Sequence, residues 1–216
     1  MLNQDPLVLI VTVALLSLLP FMAVMVTSFA KLVVVFSLTR NALGLQQVPP
    51  NMVVNGLALV LSMYIMAPLM HQMSEASHVQ LASGNLKASG LMEIMSNARE
   101  PLRKFLDKHA QPREREFFLQ SAKKIWTTEE AANLKGDDLL TLIPAFTVSE
   151  LTAAFKIGFL IYLAFVVIDL VVANILAAMG MMMFAPTVVS IPLKLLLFVM
   201  LDGWAKLVHN LILTYQ

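Results

Sequence analysis

Two stretches of this chain are nearly free of charge, and they limit what it can fold into. Of its 29 Asp, Glu, Lys and Arg residues, only Asp5, Lys31 and Arg40 fall in the first 70 positions, and only Lys156, Asp169, Lys194, Asp202 and Lys206 fall after position 150. The other 21 lie in one central block. Apolar runs of this length exceed what the core of a 216-residue soluble domain can hide. They do match the hydrocarbon core of a bilayer, which about 20 residues of helix cross. The chain therefore reads as a membrane protein with a soluble insert, and 58% hydrophobic residues with a mean hydropathy of +0.77 agree with that class.

Four apolar segments can be traced: Leu7 to about Leu38, Met52 to about Met70, Ile157 to Met183, and Val188 to Leu213. They predict an all-α membrane protein with four long hydrophobic helices in two hairpins and a small helical extramembrane insert. The expected regions are an N-terminal hairpin over 1–70, a polar insert over 71–146 and a C-terminal hairpin over 147–216. Pro20 removes a backbone donor from the first segment, and Thr27, Ser28 and Lys31 add polar atoms, so a kinked or partly protein-buried helix is expected there. Gly44 and Pro49-Pro50 mark the first connecting loop, and Ala185-Pro186 the last turn. In the insert, Leu91, Met95, Ala98, Leu102, Phe105 and Leu106 form one helical stripe, and Phe117, Phe118, Ala122, Ile125 and Trp126 a second, so two amphipathic helices should pack together. Thr127 to Glu130 and Thr147 to Glu150 have capping-box spacing, which predicts that the third long helix starts near Val148.

Only Arg40, with Lys31 before it, gives a short-loop positive signal. The positive-inside rule then places the first loop in the cytoplasm and the insert with both termini on the other side. The N-terminus lacks the basic region of a secretory signal and is expected to be retained.

Several chemistries are excluded or disfavoured. Cysteine is absent, so disulfides and thiolate chemistry are out. His71, His78, His109 and His209 show no HxxxH or HExxH spacing, and Gly136-Asp137-Asp138 reads as a turn or a helix start rather than a metal loop. No phosphate-binding, dinucleotide or nucleophile-elbow motif occurs, so no enzyme activity and no cofactor are expected. Basic residues of the insert alternate with acidic ones, as in Arg113-Glu114-Arg115-Glu116, which is a solvated face and not a nucleic-acid stripe.

The run from Pro144 to Gly158, PAFTVSELTAAFKIG, resembles the signature of the FliP/SctR family of type III secretion export-gate proteins. Arg40 to Asn51, Asp169 to Met183 and Lys194 to Trp204 agree in the same order. Ala164 departs from the family's usual Pro, and the RNALGLQQVPPN loop resembles the injectisome branch more than the flagellar one. The resemblance implies a multi-pass protein of the bacterial inner membrane that assembles as a pentamer with subunits of the SctS/FliQ, SctT/FliR and SctU/FlhB types. It implies an entry channel for unfolded secreted proteins, with a core able to protrude into the periplasm. It also implies that Met181, Met182 and Met183 form a gasket constricting that channel, beside the flexible Gly180.

Ionisable groups at membrane depth are costly unless paired or hydrated, so Lys31, Asp169, Lys194, Asp202 and Lys206 are expected to face helices or water. A structural ion pair is favoured over a proton relay, although an ion or proton transporter using Asp169 and Asp202 is the competing reading from another class. With the turn placed at Ala185-Pro186, Asp169 lies about 16 residues before it and Lys194 about 8 after it, a depth difference of roughly 12 Å. That mismatch predicts pairing of Asp169 with Lys194 between axially offset copies.

Overall fold

The computed structural model describes residues 13, 14, 17, 21, 24–81, 88–127, 129, 132, 134–181 and 183–216, and their side chains outside 75–98. Every regular element among the described residues is helical: α1 Phe29–Ala42, α2 Asn51–Leu81, α3 Ala88–His109, α4 Pro112–Ile125, α5 Leu139–Ala178, α6 Thr187–Met200 and α7 Gly203–Leu213. The all-α expectation holds. The chain divides into two compact units, Met1–Ala30 with Met66–Ser149, and Lys31–Ile65 with Glu150–Gln216.

The first unit holds the insert. Leu106, Ala110, Leu142, Ala145 and Phe146 are buried together, with Leu102, Phe105 and Phe118 packed against them. The two insert helices thus share a core, as their apolar stripes require. Successive helical residues point about 100° apart, so Phe118 turns inward while Phe117 is exposed. Ile125 and Trp126, at the end of α4, are also exposed, so the second stripe is narrower than expected. The side chains of Leu91, Met95 and Ala98 lie outside the described residues. Pro112 opens α4, where its missing N–H is no loss, and the Gln111 N–H donates to Ser149 Oγ at 2.9 Å. Arg103, bonded to Glu100, holds that carboxyl below the usual carboxylate range.

The helix expected to start near Val148 starts at Leu139. The Gly136-Asp137-Asp138 turn begins it: the Asp138 carboxylate accepts from Lys135 N–H at 2.7 Å, and its carbonyl accepts from Thr141 and Leu142. The hydroxyls of the supposed second capping box turn back along the helix instead. Thr147 Oγ1 donates to Ile143 O at 2.8 Å and Ser149 Oγ to Ala145 O at 2.7 Å. The other box, Thr127 to Glu130, lies partly outside the described residues.

In the second unit, Leu32, Val35, Phe36 and Thr39 form the buried face of α1. Phe29 N–H donates to Thr27 Oγ1 at 3.4 Å, and Thr27-Ser28 form a break between the helical residues 24–26 and α1, in keeping with the kink expected of this segment. A Cβ at Gly158 would overlap Leu38, whose own Cβ is 2.9 Å away, and this bare position lets α5 approach α1 closely. Gly44 at φ 79° ends α1, with Leu45 N–H bonded to Arg40 O. Arg40 then closes the first loop by donating to Pro49 O at 3.1 Å and Asn51 Oδ1 at 2.6 Å.

The fourth apolar segment is not one helix. It breaks between α6 and α7, which are bent by 61°. Asp202 occupies the break in a left-handed conformation, φ 51°. The edge of Phe198 meets Trp204 at 5.6 Å between ring centroids, and Gly203 leaves no Cβ to block the Phe198 ring. Asn51–Ser74 and Leu139–Ala178 are long and apolar enough to cross a membrane, and α6 with α7 makes a third candidate if the bent pair is one span. The described residues therefore carry two or three candidate spans, where four long hydrophobic helices were expected. Much of the first segment lies outside the described residues.

Candidate functional site

Two ion pairs, one buried and one half-buried, organise the second unit. α5 stops at Ala178 through Gly180, φ 76°, with Met181 N–H bonded to Leu176 O. Residues 179–186 then form the connection to α6. Asp169 consequently lies nine residues from the end of α5 and Lys194 seven from the start of α6, so their depths along the two helices differ by only about 3 Å. Lys194 Nζ donates to Asp169 Oδ2 at 2.6 Å and to Ala42 O at 3.2 Å. The pair forms within one chain, where the sequence had suggested neighbouring copies. The earlier mismatch came from counting the whole connection as helix.

Lys31 and its partners form the other pair. Its ammonium donates to Glu150 Oε1 at 3.3 Å and Thr214 Oγ1 at 3.1 Å, and lies 4.3 Å from the centre of the Tyr215 ring. The Tyr215 hydroxyl donates to Glu150 Oε2. Burial, and then the facing carboxylate, push the Tyr215 phenol well above its usual range, so it is held as a donor. Glu150, Thr214 and Tyr215 were missed as site residues. A lone Lys31 in an apolar helix did call for a buried acid, but Glu150 had been assigned to a helix cap.

Asp202 and Lys206 are exposed on the bent α6/α7 pair. At the α5 to α6 connection Met179, Met181 and Met183 expose their thioethers, and Met182 lies outside the described residues. Among the described residues no group of three or more His, Cys, Asp or Glu is placed to hold a metal ion.

Continuous apolar helices whose buried charges are paired inside the protein define a polytopic helical membrane protein. The sequence profile of the FliP family matches residues 12–211, and the chain belongs to that family. It is 53% identical over 209 residues, 96% of each chain, to the hypersensitivity response secretion protein HrcR of Ralstonia nicotianae. It is 51% identical over 214 residues to the Yop proteins translocation protein R of Yersinia pestis, covering 98% of this chain and 97% of that one. The virulence protein YscR of Salmonella typhimurium is 49% identical over 216 residues, 100% of this chain and 99% of its own.

Proposed function

We propose that this chain is a channel-forming core subunit of a type III secretion export apparatus of the injectisome branch. It assembles with copies of itself, as a pentamer, and with subunits of the SctS/FliQ, SctT/FliR and SctU/FlhB types, and it forms the inner-membrane and periplasmic entry portal for unfolded secreted proteins. One observation carries this reading within a FliP-family chain. Only 17% of the most apolar stretch of α5 is buried by the chain itself, leaving Phe155, Phe159, Leu163 and Val167 exposed. A surface of that extent is covered by lipid or by partner helices. The internal pairing of Asp169 with Lys194 favours a structural role for this carboxylate over a transporter's relay.

Mass measurement of the complex extracted in mild detergent tests the assembly. A large hetero-oligomer is expected, whereas a monomer that alone conducts ions in proteoliposomes would overturn the reading. Met181, Met182 and Met183 serve as the gasket, their flexible thioethers packing around a resting channel. Replacing all three with Ala should raise ion leakage through the assembled complex, and wild-type conductance would reduce these methionines to packing.

A further inference from the structure

Along α5, Glu150 and Asp169 are nineteen residues apart, about 28 Å of helix, close to the ~30 Å of a bilayer's hydrocarbon core. The Lys31–Glu150 and Lys194–Asp169 pairs are therefore separated by about a membrane thickness, along a stretch of α5 that is apolar apart from the exposed Lys156. At the Asp169 end the second unit carries a half-open cavity of about 510 Å3, walled by the first loop from Asn41 to Gln46, by Tyr162, Val166 and Asp169 of α5, and by Thr187, Ser190, Ile191 and Lys194 of α6. Its size falls within the roughly 300–1,000 Å3 usual for small-ligand sites. Arg40 in the last turn of α1 and Tyr162 on the cavity wall are the residue types that sit at a membrane surface.

The lining is polar and unfinished. Ser190 is fully buried, yet its hydroxyl has no hydrogen-bond partner among the described residues. Lys194 uses two of its three ammonium protons, on Asp169 and Ala42. Asp169 bonds Lys194 through Oδ2, while its side chain remains 41% exposed. The first turn of α6 lies on the same wall at Thr187, where its positive dipole end favours an anion, although the N–H groups of Val188, Val189 and Ser190 already donate to Ala185 and Pro186. An acceptor-rich anion thus fits between the start of α6, Ser190 and Lys194, and an N–H-bearing cation fits against Asp169.

We propose that this cavity binds the headgroup of phosphatidylethanolamine, with the phosphate on Ser190, Lys194 and the start of α6 and the primary ammonium on Asp169. Leu45, Val166 and Ile191 receive the root of the acyl chains. Phosphatidylglycerol has no ammonium to place against the exposed side of Asp169. The quaternary ammonium of phosphatidylcholine has no proton to donate to it.

The test is native mass spectrometry of the full chain, with its assembly, released from nanodiscs of phosphatidylethanolamine, phosphatidylcholine or phosphatidylglycerol. Phosphatidylethanolamine should be retained at least tenfold more strongly than either of the others. Ser190→Ala, which removes only the hydroxyl, should lower retention several-fold with unchanged helical content and melting. Val166→Phe, which narrows the cavity from the opposite wall, should do the same. Equal retention of phosphatidylglycerol would reduce the site to an anion contact on Lys194, and equal retention of phosphatidylcholine would remove the role given to Asp169. Either result overturns the proposal, as would wild-type retention in both variants. Free O-phosphoethanolamine binding the delipidated protein as tightly as the lipid would make a soluble compound the ligand and overturn the assignment to the bilayer. The readout does not depend on secretion, so it stands apart from the test of the export role.

Discussion

The two members of the Asp169–Lys194 pair differ in their access to water, and that difference sets what each substitution costs. Lys194 has 5% of its side chain exposed and Asp169 41%. Asp169→Ala strands a buried ammonium and should destabilise the protein by about 3 kcal/mol, toward the scale of a broken buried pair. Lys194→Ala leaves a carboxylate that solvent reaches and should cost about 1 kcal/mol, the scale of an exposed pair. Thermal melts of the two variants in one detergent check this, and equal losses would remove the asymmetry. Gly158 offers a test of packing. Gly158→Ala should cost about 1–3 kcal/mol by driving a methyl into Leu38, and Leu38→Ala in the same chain should recover part of that loss. Lys31, Asp169 and Lys194 were legible as residues needing partners, because an unpaired charge in an apolar run is costly. Which partner each found was not legible, since that depends on how long the connection between helices is.

At the scale of elements, apolar runs located the helices better than they located their ends. α5 begins nine residues before the expected Val148, because Asp138 and its turn start the helix and the Thr147 and Ser149 hydroxyls bond backward along it. The local mark of the 61° bend between α6 and α7 is Asp202-Gly203, a turn dipeptide that follows an unbroken apolar run through Leu201. The bend is held by Phe198 and Trp204 meeting edge to face, a contact between residues that a straight helix would point apart. Asp202 adopts a conformation that costs an L-residue with a Cβ about 1–2 kcal/mol. Asp202→Gly should therefore raise stability by up to about 1 kcal/mol in denaturant melts, while Asp202→Val should lower it. A loss in the glycine variant would show that the carboxylate itself supports the break.

For the whole molecule, orientation in the membrane is the property that short-loop charge should decide. Arg40 is bound into the first loop by Pro49 and Asn51, and it is the positive signal nearest the ends of α1 and α2. A reporter fused near Gly44 should report the cytoplasm, and one near Gly90 the periplasm. The opposite pattern would reverse the proposed direction of the portal.

Hydropathy and charge spacing by themselves determined that this chain is an all-helical membrane protein with a polar insert, and its ordered motifs pointed to the FliP family to which it belongs. Those properties are local or additive, so they survive in a linear reading. Tertiary structure alone decided that Lys194 meets Asp169 in its own chain, that Glu150 and Tyr215 enclose Lys31, and by how much the last apolar run bends. Each depends on where two distant segments come together, and helix ends, connection lengths and side-chain packing set that jointly.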